Sequence, residues 1–168
     1  MNNIELVLLD KKYSSQLLKL WGNENVMKYT YLDTLDSIEQ VEYRIDFWIK
    51  EHTSKSLPNN FVVMMDGEVV GVAGFPIKKK EPFCCGMYYQ IMEEHQGKGI
   101  GTRVVGQMLD IIYKNYPKGN VVARCTESNI ASKKVLLKNG FEYCGVEKEI
   151  FERKGVTDRV EKYIKINL

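Results

Sequence analysis

The chemistry-bearing residues of this sequence crowd into one stretch, Glu93-Glu94-His95-Gln96-Gly97-Lys98-Gly99-Ile100-Gly101-Thr102. A strand-like run, Met87 to Met92, leads into it, and a helical pattern, Arg103 to Tyr116, follows it. A strand, glycine-rich turn and helix in that order leave backbone N–H groups unpaired at the positive end of the helix, which suits an anion such as phosphate. The glycines let the backbone come close to that anion with no Cβ in the way. Two familiar phosphate motifs fail here. The pattern G-x-x-x-x-G-K-[ST] is not met, because Lys98 lies between two glycines and Thr102 follows Gly101 directly. The pattern G-x-G-x-x-G matches Gly97 and Gly99 but meets Thr102 at its third glycine. A third pattern, Q/R-x-x-G-x-G/A, is met in full by Gln96, Gly99 and Gly101.

Other reactive side chains are sparse. Glu93 and Glu94 stand where the strand opens onto the turn; one of them can take a proton, or both can simply favour the helix N-terminus electrostatically. The four cysteines, Cys84, Cys85, Cys125 and Cys144, form no C-x-x-C pair, and the histidines are His52 and His95 alone. No metal site is therefore expected. The thiols read as reduced packing residues of a cytoplasmic protein, and only His95 is placed to assist one as a base. A net charge of +2 over 168 residues argues against nucleic acid as a partner, and Lys78-Lys79-Lys80 reads as a solvated loop. No apolar run approaches the ~20 residues of a membrane span, and Met1 to Glu5 lacks the build of a signal peptide.

The elements that must hold the turn can be traced in order. Ile4 to Leu9 reads as a strand, and Lys11 to Trp21 as a helix stopped by Gly22. Val26 to Tyr31 is an aromatic connection. Ser37 and Gln40 form a capping box opening a helix whose buried face carries Ile38, Val41, Ile45, Trp48 and Ile49. A polar loop, Ser54 to Asn60, leads to a hairpin, Phe61–Met65 and Glu68–Ala73, turned by Asp66-Gly67 in type I′ geometry. Lys78 to Pro82 is a loop, and Cys84 to Met92 is one strand. Val121 to Thr126 is the next strand, Asn129 to Asn139 a short helix closed by Gly140, and two strands follow about Lys154-Gly155. The chain thus reads as one α/β domain, residues 1–168, with a central mixed, mostly antiparallel sheet of about seven strands flanked by about four helices.

This element order, with the Gln96–Gly101 motif and a second pattern, Asn129-Ile130-Ala131-Ser132 through Lys138-Asn139-Gly140-Phe141, resembles the GNAT superfamily of N-acetyltransferases. Leu20-Trp21, Asn25 to Tyr29, Ala131-Ser132 and Gly145-Val146 are similar to its Rim-type branch, the ribosomal-protein N-terminal acetyltransferases. The resemblance covers nearly the whole chain. It implies acetyl-CoA as the donor. The N–H groups of Gly97, Lys98, Gly99, Ile100, Gly101 and Thr102, with Gln96 opening the motif, would hold its pyrophosphate. Ile91, Met92 and Glu93 would pair with the pantetheine arm like an added strand, with a bulge there freeing an N–H for the thioester oxygen.

For the proton steps the resemblance implies Glu149 as the base, in rivalry with Glu93 read from its position, and with Glu127 third. Many GNAT enzymes carry a tyrosine acid seven residues after the helix Asn, and here that position is Leu136. Ser132 stands where the Rim branch places a residue near the sulfur, and Asn129 would bond the arm or cap its helix. Trp21, Tyr29, Tyr31 and Trp48 read either as core or as the wall of an acceptor cleft. The expected reaction is direct attack of a primary amine, from a protein N-terminus or a small molecule, on the thioester. Transfer of another acyl group and a non-catalytic CoA-binding module are the alternatives, and a homodimer stays open.

Overall fold

The computed structural model describes residues 2–54 and 56–167; Met1 of the N-terminal segment and Lys55 of the polar loop lie outside the described residues. The chain runs β1 (Ile4–Leu8), α1 (Ser14–Trp21), α2 (Glu24–Met27), α3 (Ile38–His52), β2 (Asn60–Met65), β3 (Glu68–Gly74), β4 (Ile77–Lys80), β5 (Phe83–Cys85), β6 (Tyr88–Ile91), α4 (Ile100–Asn115), β7 (Asn120–Thr126), α5 (Ile130–Lys138), β8 (Glu142–Arg153) and β9 (Val156–Ile166). Short 3-10 turns at Lys11–Tyr13 and Glu93–His95 lead toward α1 and α4. Local chemistry sets many of these boundaries. The Asn23 side chain caps α2, and Ser37 Oγ caps α3 by accepting from Gln40 N–H. Gln40 Oε1 reaches back past Ser37 and accepts from Asp36 N–H at 2.9 Å, so the capping box closes one residue early. Asp66 and Gly67 take φ of 50° and 86°, and Lys154 and Gly155 take 55° and 74°, as two-residue hairpin turns of type I′ require.

The strands form two sheets, β1-β2-β3-β6 and β4-β5-β7-β9-β8. Helices cover both faces of the first. Leu17, Leu20 and Trp21 of α1 and Val41 and Ile45 of α3 pack on Val62, Val69 and Val72. Val104, Val105, Met108 and Ile112 of α4 and Leu136 of α5 pack on Val63, Val70 and Ala73. In β2 the two sets alternate strictly. In β3 they do not, because the register slips between Val63 and Met64 and leaves Val70 as an extra residue that inverts the side-chain pattern.

Two readings of the sequence change here. The run Cys84 to Met92 is two strands, since β5 pairs in parallel with β7 while β6 pairs antiparallel with β3. Gly86, between them, donates its N–H to Pro76 C=O at 2.8 Å. The loop at Lys78 to Pro82 is largely β4, the edge strand beside β5, and its exposed lysines guard that edge against further pairing. Among the described residues this gives nine strands and five α-helices where about seven and about four were expected. Ile49, expected on the buried face of α3, is 41% exposed.

Trp21 is fully buried, and its indole N–H donates to Gln90 Oε1 at 2.9 Å, tying α1 to β6. Trp48 packs edge-on against both Trp21 and Tyr88 at 5.3 Å. Trp21→Phe should leave Gln90 without its donor and lower the unfolding free energy by about 1–3 kcal/mol in urea titration. An unchanged midpoint and slope would show that this bond contributes nothing to stability.

Candidate active site

β6 is bonded along one edge only. Met92 N–H donates to Val70 C=O at 2.8 Å, on the β3 side. Alternation along a strand turns the backbone of Ile91 and Tyr89 to the opposite edge. There the Ile91 carbonyl accepts from Gln96 Nε2 at 2.9 Å. Among the described residues no strand pairs with β6 on that side, because β7 is bonded to β5 only through Asn120 and Val121 and then diverges. The gap between β6 and β7 opens into a cavity of about 740 Å³. The bulge expected at Ile91–Glu93 is not there: the pairing of β6 with β3 is regular, and the irregularity lies in β3 at Val70. Met92 N–H is therefore occupied, and Ile91 is the residue whose backbone faces the gap.

The turn behaves as its glycines require. Gly97 and Gly99 have φ of 74° and 76°, which L side chains rarely adopt. Gly99 is the N-cap of α4 and offers no side-chain cap, so the first-turn N–H groups of Ile100, Gly101 and Thr102 keep their donors without a side-chain partner. Gly97, Gly99, Ile100, Gly101 and Thr102 all line the cavity. A Cβ on Gly101 would stand 3.4 Å from Val135 Cγ2 and 3.8 Å from the Tyr89 ring. Lys98 is placed differently from the sequence reading. Its ammonium donates to Glu94 C=O at 2.8 Å, within the turn. The cations that do line the cavity are Lys134 and Lys138, one turn apart on α5, and Arg124 on β7, which pairs with Glu147 at 2.8 Å. Sequence reasoning did not single out Lys134 and Lys138 as cations of the site, although their i, i+4 spacing on the helix of Asn129 and Ser132 was a usable signal.

Asn129 is the N-cap of α5, its Oδ1 accepting from Ser132 N–H at 3.2 Å. Both residues line the cavity, with Ala131 and Val135. Leu136, expected on the same face, is 1% exposed and turned into the core with α4. It lies about 40° further round the helix than Ser132, enough to cross from cavity to core. A phenol does reach Ser132, but from the sheet. Tyr89 Oη lies 2.8 Å from Ser132 Oγ. Burial pushes the Tyr89 phenol up to about 12, with the Ser132 hydrogen bond pulling the other way. Cys125 of β7, read from sequence as packing, is buried yet also in the cavity wall, and burial pushes its thiol up to about 11.

The candidate carboxylates lie outside the cavity lining, to which the segment after α1 contributes Asn25, Val26, Tyr29 and Thr30. Glu93 holds two amides, accepting from Asn23 Nδ2 and Asn25 Nδ2 at 2.9 Å each. Glu149 accepts from Tyr31 Oη at 2.6 Å, and burial with that carboxylate pushes the Tyr31 phenol up to about 12. Glu127 is held by Arg159 at 2.6 and 2.9 Å, which keeps its carboxyl below the usual range and makes it a poor base. His95 brings an imidazole to the cavity wall, its Nδ1 without a hydrogen-bond partner. Trp21 and Trp48 are core, whereas Tyr29 belongs to the wall.

Comparison with known proteins agrees with this arrangement. The chain is 23% identical over 141 residues to the uncharacterized N-acetyltransferase p20 of Bacillus licheniformis, covering 83% of this chain and 79% of that one. It is 24% identical over 136 residues to YoaA, an uncharacterized N-acetyltransferase of Bacillus subtilis, covering 80% and 77%. Its fold matches the spermidine N-acetyltransferase of Vibrio cholerae, solved with CoA and spermine, at a TM-score of 0.84 and 19% identity over 98% of this chain and 95% of that one. It also matches RimL, a ribosomal L7/L12 alpha-N-protein acetyltransferase solved with CoA, at 0.80 and 21% identity over 97% and 93%. The acetyltransferase (GNAT) domain profile matches residues 4–142, which takes in the open-edged strand, the glycine turn and the Asn129–Ser132 helix together. The chain belongs to the GNAT family of acetyltransferases and is an acetyltransferase enzyme.

Proposed function

We propose that the enzyme moves an acetyl group from acetyl-CoA to a primary amine by direct attack, with no acyl-enzyme intermediate. The observation that carries this reading is the meeting, in one cavity, of an unpaired strand edge and a helix N-terminus without a side-chain cap. An amide-bearing arm suits the first, and a pyrophosphate suits the second. Open space at the Cβ positions of Gly97 and Gly99 leaves the approach to those N–H groups clear. Lys134 and Lys138 add positive charge for phosphate on the facing helix, and Gln96 fixes the turn to the end of β6 through the Ile91 carbonyl.

The thioester supplies an activated carbonyl; the protein supplies position and polarity. Ile91 N–H, facing the gap, is the donor for the thioester oxygen. Ser132 faces the departing sulfur, and Asn129 positions Ser132 by capping α5. The acceptor enters past Asn25, Val26, Tyr29 and Thr30. Glu93, bonded to the lining Asn25, and Glu149, bonded to Tyr31, do not themselves line the cavity, so the amine proton reaches them through water. The acceptor is a protein N-terminus or a small amine. Both classes occur among proteins of similar fold, one solved with spermine and one acting on ribosomal L7/L12. A panel of polyamines, amino acids, aminoglycosides and N-terminal peptides, scored by CoA thiol release, tests the reading. No release with any amine would overturn it.

Substitution in the turn separates two causes of lost affinity. Gly99→Val forces a β-branched residue to φ near 76°, and Gly101→Val drives a side chain onto Tyr89 and Val135. Each should raise the acetyl-CoA dissociation constant in calorimetry by at least ~10-fold, since either distorts donors that must converge on phosphate. Retained affinity with the fold intact would place the cofactor elsewhere. Ser132→Ala should slow acetyl transfer by ~10–100-fold while leaving acetyl-CoA binding nearly unchanged, because the hydroxyl matters as charge develops on sulfur. Cys125→Ala should keep turnover within a few-fold; a trapped acetyl-cysteine in mass spectrometry would instead establish a covalent route.

A further inference from the structure

We propose that Tyr89 is a positioning residue for the leaving thiolate, holding Ser132 with its hydroxyl hydrogen aimed at the cofactor sulfur. This rests on the reading of Ser132 above and extends it to a residue on a different element.

The acidity of the two hydroxyls favours one direction for the Tyr89–Ser132 bond. The two oxygens are 2.8 Å apart, and either hydroxyl can donate. Tyr89 has one other oxygen near it, the Ser132 carbonyl at 3.4 Å, which is long for an O–H···O bond. A phenol is the stronger acid and the better donor of the two, and Ser132 Oγ has two lone pairs with which to accept. With the phenol donating, the serine hydrogen is released from Tyr89 and must point elsewhere. The serine sits at the start of α5 with its own N–H already given to Asn129 Oδ1, so both sides of the residue are fixed. The Tyr89 ring and Val135 of α5 both lie beside Gly101 of α4, 3.8 and 3.4 Å from where its Cβ would stand. The phenol therefore stands where strand, turn and helix meet in the cavity wall.

The chemistry balances without proton transfer from the tyrosine. The amine nitrogen forms a bond to the acetyl carbon, the carbon–sulfur bond breaks, and its electron pair stays on sulfur. The amine proton departs to water at the acceptor end. Ser132 O–H donates a hydrogen bond to the sulfur as the charge grows, and Tyr89 O–H donates to Ser132 and polarises it. Burial holds the phenol protonated well beyond neutral pH, so it serves as a donor and is not consumed. This arrangement also accounts for the absence of a tyrosine at position 136. That side chain is in the core, and the phenol that the site needs is delivered by β6.

Tyr89→Phe keeps the ring and removes only the hydroxyl. Its kcat should fall ~10-fold, with KM for acetyl-CoA and the CoA dissociation constant within about 2-fold. The loss should shrink with an acyl donor whose thiol is more acidic, because less charge on sulfur then needs support. The decisive measurement is the cycle with Ser132→Ala: the double variant should be no slower than Ser132→Ala alone. 3-Fluorotyrosine at position 89 should restore the rate to within about 2-fold of wild type, which ring packing alone would not explain. Full activity in Tyr89→Phe while Ser132→Ala is slow would overturn the role of Tyr89 and leave the Ser132 reading standing. Losses that multiply in the double variant would show Tyr89 acting independently, and would also overturn it. An unimpaired Ser132→Ala enzyme would overturn both residue roles while amine acetylation stood, whereas wild-type protein that releases no CoA with any amine would overturn the reaction itself.

Discussion

Everything at the site depends on β6 having a partner on one edge only. Backbone N–H and C=O groups need partners, and a strand edge left open inside a fold is normally a defect. Here the defect is built in. β5 pairs with β7, the chain turns at Gly86 and Met87, and β6 then crosses to β3. One continuous stretch thus belongs first to one sheet and then to the other, and the two sheets part between β6 and β7. The Val70 bulge in β3 takes the Met92 N–H, which ends the pairing and lets the chain leave the sheet as the 3-10 turn toward Gly97. Gln96 covers one of the open groups from the far side, at the Ile91 carbonyl.

The charges follow from that geometry. The cavity lining gathers the N-terminus of α4 with Lys134 and Lys138, whereas the carboxylates outside it are committed to neighbours, Glu93 to two asparagines and Glu149 to Tyr31. Positive groups of the cavity lining and these committed carboxylates are thus held on different elements, so the potential along the cavity is uneven. The segment from Met27 to Asp33 is held by the tip of the β8–β9 hairpin. Lys154 donates to the carbonyls of Met27 and Leu32, and Arg153 pairs with Asp33. An exposed ion pair such as Arg153–Asp33 contributes little to stability, but with the Lys154 hydrogen bonds it ties the loop after α2 to the β8–β9 hairpin. Behind Ser132, Lys133 meets the buried Glu161 at 3.0 Å and anchors α5 to β9.

Much of the fold was legible in the sequence because its signals are local. The Asp66-Gly67 and Lys154-Gly155 turns need only their own φ angles, the Ser37 cap needs only Gln40, and the glycine turn announces itself by spacing between a strand and a helix. The split of Cys84 to Met92 into two strands was not legible. Both halves have strand propensity, and what separates them is a change of partner across more than 30 residues of chain, from β7 to β3. β4 was missed for a related reason: three lysines suit solvent, and an edge strand shows solvent one whole side.

At the site the same division holds. Sequence by itself determined the glycine turn before α4 and the Asn129 cap of the helix that carries Ser132, since each is defined by neighbours within a few residues. Tertiary structure alone decided what those residues face. It turned Lys98 back onto Glu94 and brought Lys134 and Lys138 forward, and it withdrew Glu127 into a pair with Arg159. It buried Leu136 and carried Tyr89 to within hydrogen-bond reach of Ser132 across 43 positions of chain. Side-chain direction depends on packing against distant elements, and about 40° of rotation on α5 separates a residue in the cavity from one in the core.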